Sequence, residues 1–256
     1  MTRTESRWTH LSDLVRELVV RDVRLRYSGS VLGLGWSQIA ALAQVAVLFF
    51  IFGRVVRLGI PDYPAFVLAG MVPWLWLVGS IGAAADSVVG GRDLVRRPGF
   101  PPGVLPLVAV GTGLINFALT IPVMLVTIGV VTGRLPPTVA LLPVLVVVQL
   151  LVMLGPAYLV AAVNVFLRDT GHLVAVVLGL LFYATPIFYS HVPAHYRTVL
   201  GLNPMAHLVS AYRQILLFGH LPSWRALLAL ALGGAAATWV CYRFFESRQR
   251  WFAEEL

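Results

Sequence analysis

Lysine is absent from this chain, and all 19 basic residues are arginine. That excludes a phosphate-cradling loop of the G-x-x-x-x-G-K-[ST] kind, whose lysine reaches the terminal phosphates. Charge of either sign is scarce too, 12 % of residues against about 25 % in soluble domains, so no charged skin can keep the chain dispersed in water. The single cysteine, Cys241, rules out an internal disulfide and with it the disulfide-dense secreted scaffolds. Within the apolar runs no acid stands at mid-depth, Asp86 falling at the inner end of the second run, so proton or sodium coupling lacks its groups. His191 and His195 are four apart, but Pro193 between them breaks the helix that would aim both at one metal. No Ser/His/Asp or paired-carboxylate constellation stands out.

What the chain has is apolar length. With 256 residues, 59 % of them hydrophobic, and a mean hydropathy of +0.85, it reads as an integral membrane protein. A hydrocarbon core of about 30 Å needs about 20 apolar residues at 1.5 Å rise. Six runs fit: 28–53, 63–85, 107–131, 137–166, 171–189 and 224–242. The prolines at 98, 101, 102 and 106 place the third span after them. Pro73, Pro122, Pro143, Pro156 and Pro186 predict kinks, tolerable where neighbouring helices meet the freed carbonyls. The fold class is all-α, with six transmembrane helices, an amphipathic interface helix before them and short re-entrant helices before the last span.

Arginine placement orients the bundle. With the N-terminus inside, thirteen arginines fall in inner segments and six in outer ones, which puts both termini in the cytoplasm. The start MTRTESRWTHLSDL carries acids and no apolar h-region, so it is not read as a cleavable signal peptide. Three regions follow: a cytoplasmic N-terminal stretch 1–27, a transmembrane domain 28–242, and a cytoplasmic tail 243–256.

Two pieces are neither span nor simple loop. Leu11, Leu14, Val15 and Leu18 recur at helical spacing among charged neighbours, which describes a helix lying in the inner interface. Between the fifth and sixth spans, 185–221 is apolar but broken by Pro186, Pro193, Pro204 and Pro222. Asn203 before Pro204 reads as an N-cap and first-turn pair opening a helix that Gly219 ends. At fourteen residues, 205–218 is too short to cross. Such a segment sits at membrane depth only where protein or a water-filled cavity meets its backbone. It is expected to close the exit, and Arg213, buried there, then needs an acceptor such as a main-chain carbonyl or outer headgroups; a helix lying flat on the outer surface is the alternative.

The order of short segments is informative as well. LVRELVVRDVRLRYSGSVLGLGW enters the first span, YPAFVLAGMVPWLW forms the second, LVRRPGFPPGVLPL leads into the third, VNVFLRDTGHLV turns between the fourth and fifth, and TPIFYSHVP then LNPMAHLVSAYRQILL follow the fifth. Together they resemble the permease subunit of polysaccharide-exporting ABC transporters, the family that moves O-antigen, teichoic acid, capsule or galactan on lipid carriers. The resemblance runs from about residue 11 to 245. The loop LVRRPGFPP departs in carrying arginine where many relatives have lysine.

The resemblance implies a homodimer in the cytoplasmic membrane, two copies of a separate ATPase that bind ATP and Mg, and a lipid-linked polysaccharide as cargo. No cofactor is expected on this chain and no nucleic acid among its partners. Arg92, Asp93, Leu94, Arg96 and Arg97 would form the coupling helix seated in the ATPase, or else an anchor to lipid. Arg168 and Asp169 make a second inner turn that touches the ATPase or pairs within itself. Arg21, Arg24, Arg26 and Tyr27 suit a polyprenyl pyrophosphate, because guanidinium forks fit phosphate oxygens, yet anchoring to anionic lipid needs the same residues. Tyr158 and Phe166 on one helix face, with Phe182 and Tyr189 astride Pro186, are candidate channel aromatics for sugar C–H faces, or plain packing. Pro186, Asn203, Pro204 and Arg213 are the candidate outer gate. A membrane enzyme acting on polyprenyl phosphates and a permease for a drug or small lipid stand as the other readings.

Overall fold

The computed structural model describes residues 3–27, 59–190 and 201–256, with scattered positions between 35 and 51. The first apolar run, 28–53, lies outside the described residues apart from those positions, as do His191, His195 and the side chains of Arg26 and Tyr27. Among the described residues every regular element is helical. α1 is Arg3–Tyr27. α2, Tyr63–Gly90, carries proline in its first turn and Pro73 inside. The short α3, Arg92–Val95, follows at once. α4, Val104–Thr132, begins three residues before the expected span, because Pro106 falls in the first turn, where a missing N–H costs nothing. Gly133 stops it at φ 69°.

A 3-10 turn, Pro137–Leu141, leads into α5, Leu142–Phe166. Pro143 sits in its first turn and bends nothing. α6, Thr170–Tyr183, has 14 residues, so it is about 21 Å long, short of the hydrocarbon core. Its end before Pro186 corrects the expectation of a proline kink within a longer fifth span. α7, Pro204–Arg213, continues as a π-turn, Gln214–Phe218, and Gly219 at φ 67° ends it. α8, Trp224–Arg248, passes through a 3-10 turn, Gln249–Trp251, into α9, Phe252–Glu255. Among the described residues, four of the expected spans correspond to helices long and apolar enough to cross a membrane, Tyr63–Gly90, Val104–Thr132, Pro137–Phe166 and Trp224–Glu255.

α2 is the hub. Within its apolar window 78 % of residues are buried in the protein, against 6 % for the run from Trp224. A helix apolar on all sides belongs at the centre, and α4, α5, α6 and α7 surround it. Two amide rungs tie it to α5. Gln149 Nε2 donates to the Pro73 carbonyl at 2.8 Å, and Asn164 Nδ2 to the Ala85 carbonyl at 2.9 Å and Asp86 Oδ1 at 3.3 Å.

α8 crosses α5 backbone to backbone. A methyl on Gly234 would fall 2.8 Å from the Leu151 carbonyl carbon, and one on Gly155 would fall 3.0 Å from that of Ala237. Small residues allow such an approach where helices gain by dispersion rather than by leaving water. Thr238 Oγ1 adds a hydrogen bond to the Leu151 carbonyl at 3.0 Å. On the opposite side, the apolar stripe of α1, Leu14, Val15, Leu18 and Val19, packs on Val104 and Val108 of α4.

Candidate functional site

At the end of α2 that follows Asp86, the chain makes a compact, charged knuckle. Phe100 N donates to the Arg97 carbonyl and Val104 N to that of Pro101, while Gly99 takes the left-handed φ of 81° that the turn requires. Val95 points inward at 8 % exposure. Arg92, Asp93, Arg96 and Arg97 stand exposed and Leu94 is half-buried. The second expected inner turn, Arg168 and Asp169, is exposed as well. Its approach is fixed by Asn164, which joins the ends of α5 and α2. Both knuckles therefore rest on the hub through short, rigid connections.

A different arrangement occupies the opposite end. Arg213 of α7 is buried, 6 % exposed, and an interior guanidinium is costly unless its donors are met. Here they are met by main-chain carbonyls: Nε donates to Phe66 at 3.2 Å, Nη1 to Pro186 at 2.6 Å and Nη2 to Ile187 at 2.6 Å. Gly70 leaves the room, since a Cβ there would meet Val209 at 3.0 Å and Arg213 Nη2 at 3.1 Å. Asn203 caps α7 by accepting from Met205 N at 2.9 Å, and its Nδ2 donates to Thr185 Oγ1 at 2.8 Å. Tyr63 O–H donates to the Phe188 carbonyl at 2.9 Å. The π-turn frees a carbonyl at Ile215, which Thr138 Oγ1 meets at 2.7 Å. Arg213 thus clamps the Pro186–Ile187 segment to α2, and Asn203, with Pro204 after it in the first turn of α7, ties the start of the same helix to Thr185.

The aromatics divide. Tyr158 is enclosed, 4 % exposed, its O–H on the Gly103 carbonyl at 3.1 Å and its ring edge-on to Tyr242 and Phe245. In this chain the ring is therefore packed on α8 rather than open on a free face. Phe166 packs on Phe252 at 5.9 Å between centroids, so this face of α5 is the seat of α8 and α9. Phe182 meets Trp74, Tyr183 and Phe188 at 5.8, 5.4 and 5.8 Å, and Tyr189 O–H donates to the Tyr183 carbonyl at 3.1 Å. Trp74, Tyr183 and Phe188, which the sequence did not single out, belong to the same ring group. The run FYATPIFY, with aromatics at both ends of a helix-stopping proline, was the available signal.

A family model described as ABC-2 type transporter matches residues 13–217. The chain belongs to the ABC-2 type transporter family. It is similar to the O-antigen export system permease protein RfbA of Myxococcus xanthus, 38 % identical over 248 residues, which cover 95 % of each chain. A protein of the same name from Klebsiella pneumoniae is 30 % identical over 251 residues, 96 % of each chain. The polysialic acid transport protein KpsM of Escherichia coli is 22 % identical over 242 residues, 92 % of this chain and 93 % of that one. The relatives are transport permeases, and this ABC-2 chain is a permease rather than an enzyme.

Beside the charged knuckle the permease holds a cleft of about 580 Å³ between α1, α2 and α4, lined by Arg21, Asp22, Asp86, Ser87 and Leu94 among others. Arg24 stands exposed on α1 outside that lining. Of the arginines expected at a pyrophosphate, the structure therefore brings Arg21 to the cleft and leaves Arg24 at the surface.

Proposed function

We propose that this ABC-2 permease exports a lipid-linked polysaccharide across the cytoplasmic membrane, as a homodimer driven by two copies of a separate ATPase. Support comes first from the extent of the likeness to a permease named for O-antigen export, which spans nearly the whole of both chains. The chain itself contains no lysine and so no phosphate loop of the P-loop type. ATP and Mg belong to the partner. In this reading both termini are cytoplasmic. Arg92, Asp93, Leu94, Arg96 and Arg97 seat in the ATPase, with Arg168 and Asp169 beside them. Arg21 and Arg24, together with Arg26 and Tyr27, meet the carrier's pyrophosphate through charge-assisted hydrogen bonds. Phe182 and Tyr189, grouped with Trp74 and Phe188, offer ring faces to sugar, and the clamp around Arg213 closes the outer end between transport events.

Depletion of the permease in its host tests the reading. Completed polymer on its polyprenyl carrier is expected to accumulate inside the cell while synthesis continues. Polymer that still reaches the surface, with a drug or a small lipid retained instead, overturns it. The purified chain is expected to hydrolyse no ATP and to copurify with its cognate ATPase in a 2:2 complex.

A further inference from the structure

The segment after α8 does not trail away from the bundle. The 3-10 turn Gln249–Trp251 folds α9 back, and Phe252, flanked by exposed Trp251 and Ala253, is itself at 0 % exposure. Its ring lies edge-on to Phe245 of α8 at 5.1 Å and against Phe166 of α5 at 5.9 Å. The same apolar cluster takes in Val95 and Leu94 of α3, Phe100, Leu105 of α4 and Leu256. α9 touches α3 directly.

The charged knuckle and the end of α5 that leads to Arg168 and Asp169 thus share one apolar cluster, to which the buried Phe252 ring belongs. Nothing about crossing a membrane asks for this, because α8 is already complete as a span. The exposed surface beside α9 is the charged face of α3. A force applied to that face reaches α5 and α8 through close-packed side chains, which transmit displacement because interiors have few voids.

We propose that Phe252 is a positioning residue for energy coupling: it holds α3 against α5 and α8, so that movement of the partner ATPase is delivered to the spans. The proposal rests on the reading of the chain as an ATP-driven exporter. Without the ring, α3 still binds the ATPase through its exposed arginines, yet yields into the space left behind.

The test uses the full permease with its cognate ATPase. ATP hydrolysis is measured on the purified complex, and surface polymer in cells whose only copy is the variant. Phe252→Ala is expected to leave complex yield unchanged and hydrolysis within about twofold of wild type, while surface polymer falls at least about tenfold, the scale of a lost coupling energy. Phe252→Leu, which refills most of the space, is expected to restore export to within about twofold. Phe166→Ala, at a half-open ring, gives the same split should Phe252→Ala fail to assemble. Export that matches wild type in Phe252→Ala, or hydrolysis and export that decline in parallel across both alanine variants, overturns the proposal. A wild-type complex that hydrolyses no ATP overturns the exporter reading itself, and is recognised before any variant is compared.

Discussion

The guanidinium carbon of Arg213 lies 3.5 Å from the centre of the Phe66 ring, while Nε of the same side chain donates to the Phe66 carbonyl at 3.2 Å. One residue of α2 thus holds a cation by its face and by its backbone. The planar fork reaches three carbonyls on two segments at once, and a lysine ammonium cannot match that geometry. Arg213→Lys is expected to cost about 2–4 kcal/mol, since it keeps a buried charge and loses its fixed partners. Cysteine scanning of 205–218 in a Cys241→Ala background reads the consequence. Protection in the middle of the segment in wild type, and labelling there in the lysine variant, is the expected outcome. Labelling along one continuous face in wild type instead identifies a helix lying flat on the outer surface.

Asn203 performs two tasks, and substitutions separate them. Asn203→Asp keeps the acceptor for Met205 N and loses the donor to Thr185, whereas Asn203→Ala loses both. Alanine is expected to cost about 1–2 kcal/mol and aspartate less. Thermal denaturation in detergent gives the order. Equal midpoints for alanine and wild type would sink the assignment of Asn203 as a stabilising cap.

Two adjacent glycines supply an internal control. A Cβ at Gly234 would sit within 2.9 Å of the Leu151 and Val152 backbone, whereas one at Gly233 meets nothing within 4 Å. Gly234→Val is expected to separate α8 from α5, at a cost of about 1–3 kcal/mol. Gly233→Ala at the neighbouring position is expected to leave stability unchanged or slightly raised, alanine being the better helix former. Protease resistance of membranes carrying each variant distinguishes them.

At Gln149 the expected sign is less obvious. Its Nε2 is bonded to Pro73, but its buried Oε1 has no partner. Gln149→Leu removes an orphan acceptor along with the bond, and the two effects nearly cancel, leaving a change under about 1 kcal/mol. Gln149→Glu places a carboxyl against a carbonyl in an apolar interior and is expected to abolish accumulation of the protein. Immunoblots of membrane fractions suffice to compare the two.

Helices were legible in the sequence wherever apolar length alone decides them. The spans at 63–85, 107–131, 137–166 and 224–242 correspond to α2, α4, α5 and α8 within a few residues. Their ends drifted for a definite reason: an arginine or aspartate does not stop a helix that has left the hydrocarbon, so α2 runs past Asp86 to Gly90 and α8 past Tyr242 to Arg248. Asn203, Pro204 and Gly219 were readable as caps because capping is local chemistry. The three acceptors of Arg213, at Phe66, Pro186 and Ile187, were not, since they are set by the packing of distant segments. The surroundings of Tyr158 were not legible for the same reason. Its spacing from Phe166 is identical whether the stripe faces a passage or faces Phe245 and Phe252.

The glycine crossing of α8 on α5 also sets a timetable. About sixty residues separate the end of α5 from the start of α8, so at synthesis rates of 5–20 residues per second α5 stands in the bilayer for roughly 3–12 s before α8 exists. Over that interval the face of α5 at Gly155 lacks the backbone of α8 that covers it in the folded chain. Docking of α8 on α5 is therefore a late event in the making of the chain, separated from the insertion of its partner by the synthesis of everything between them.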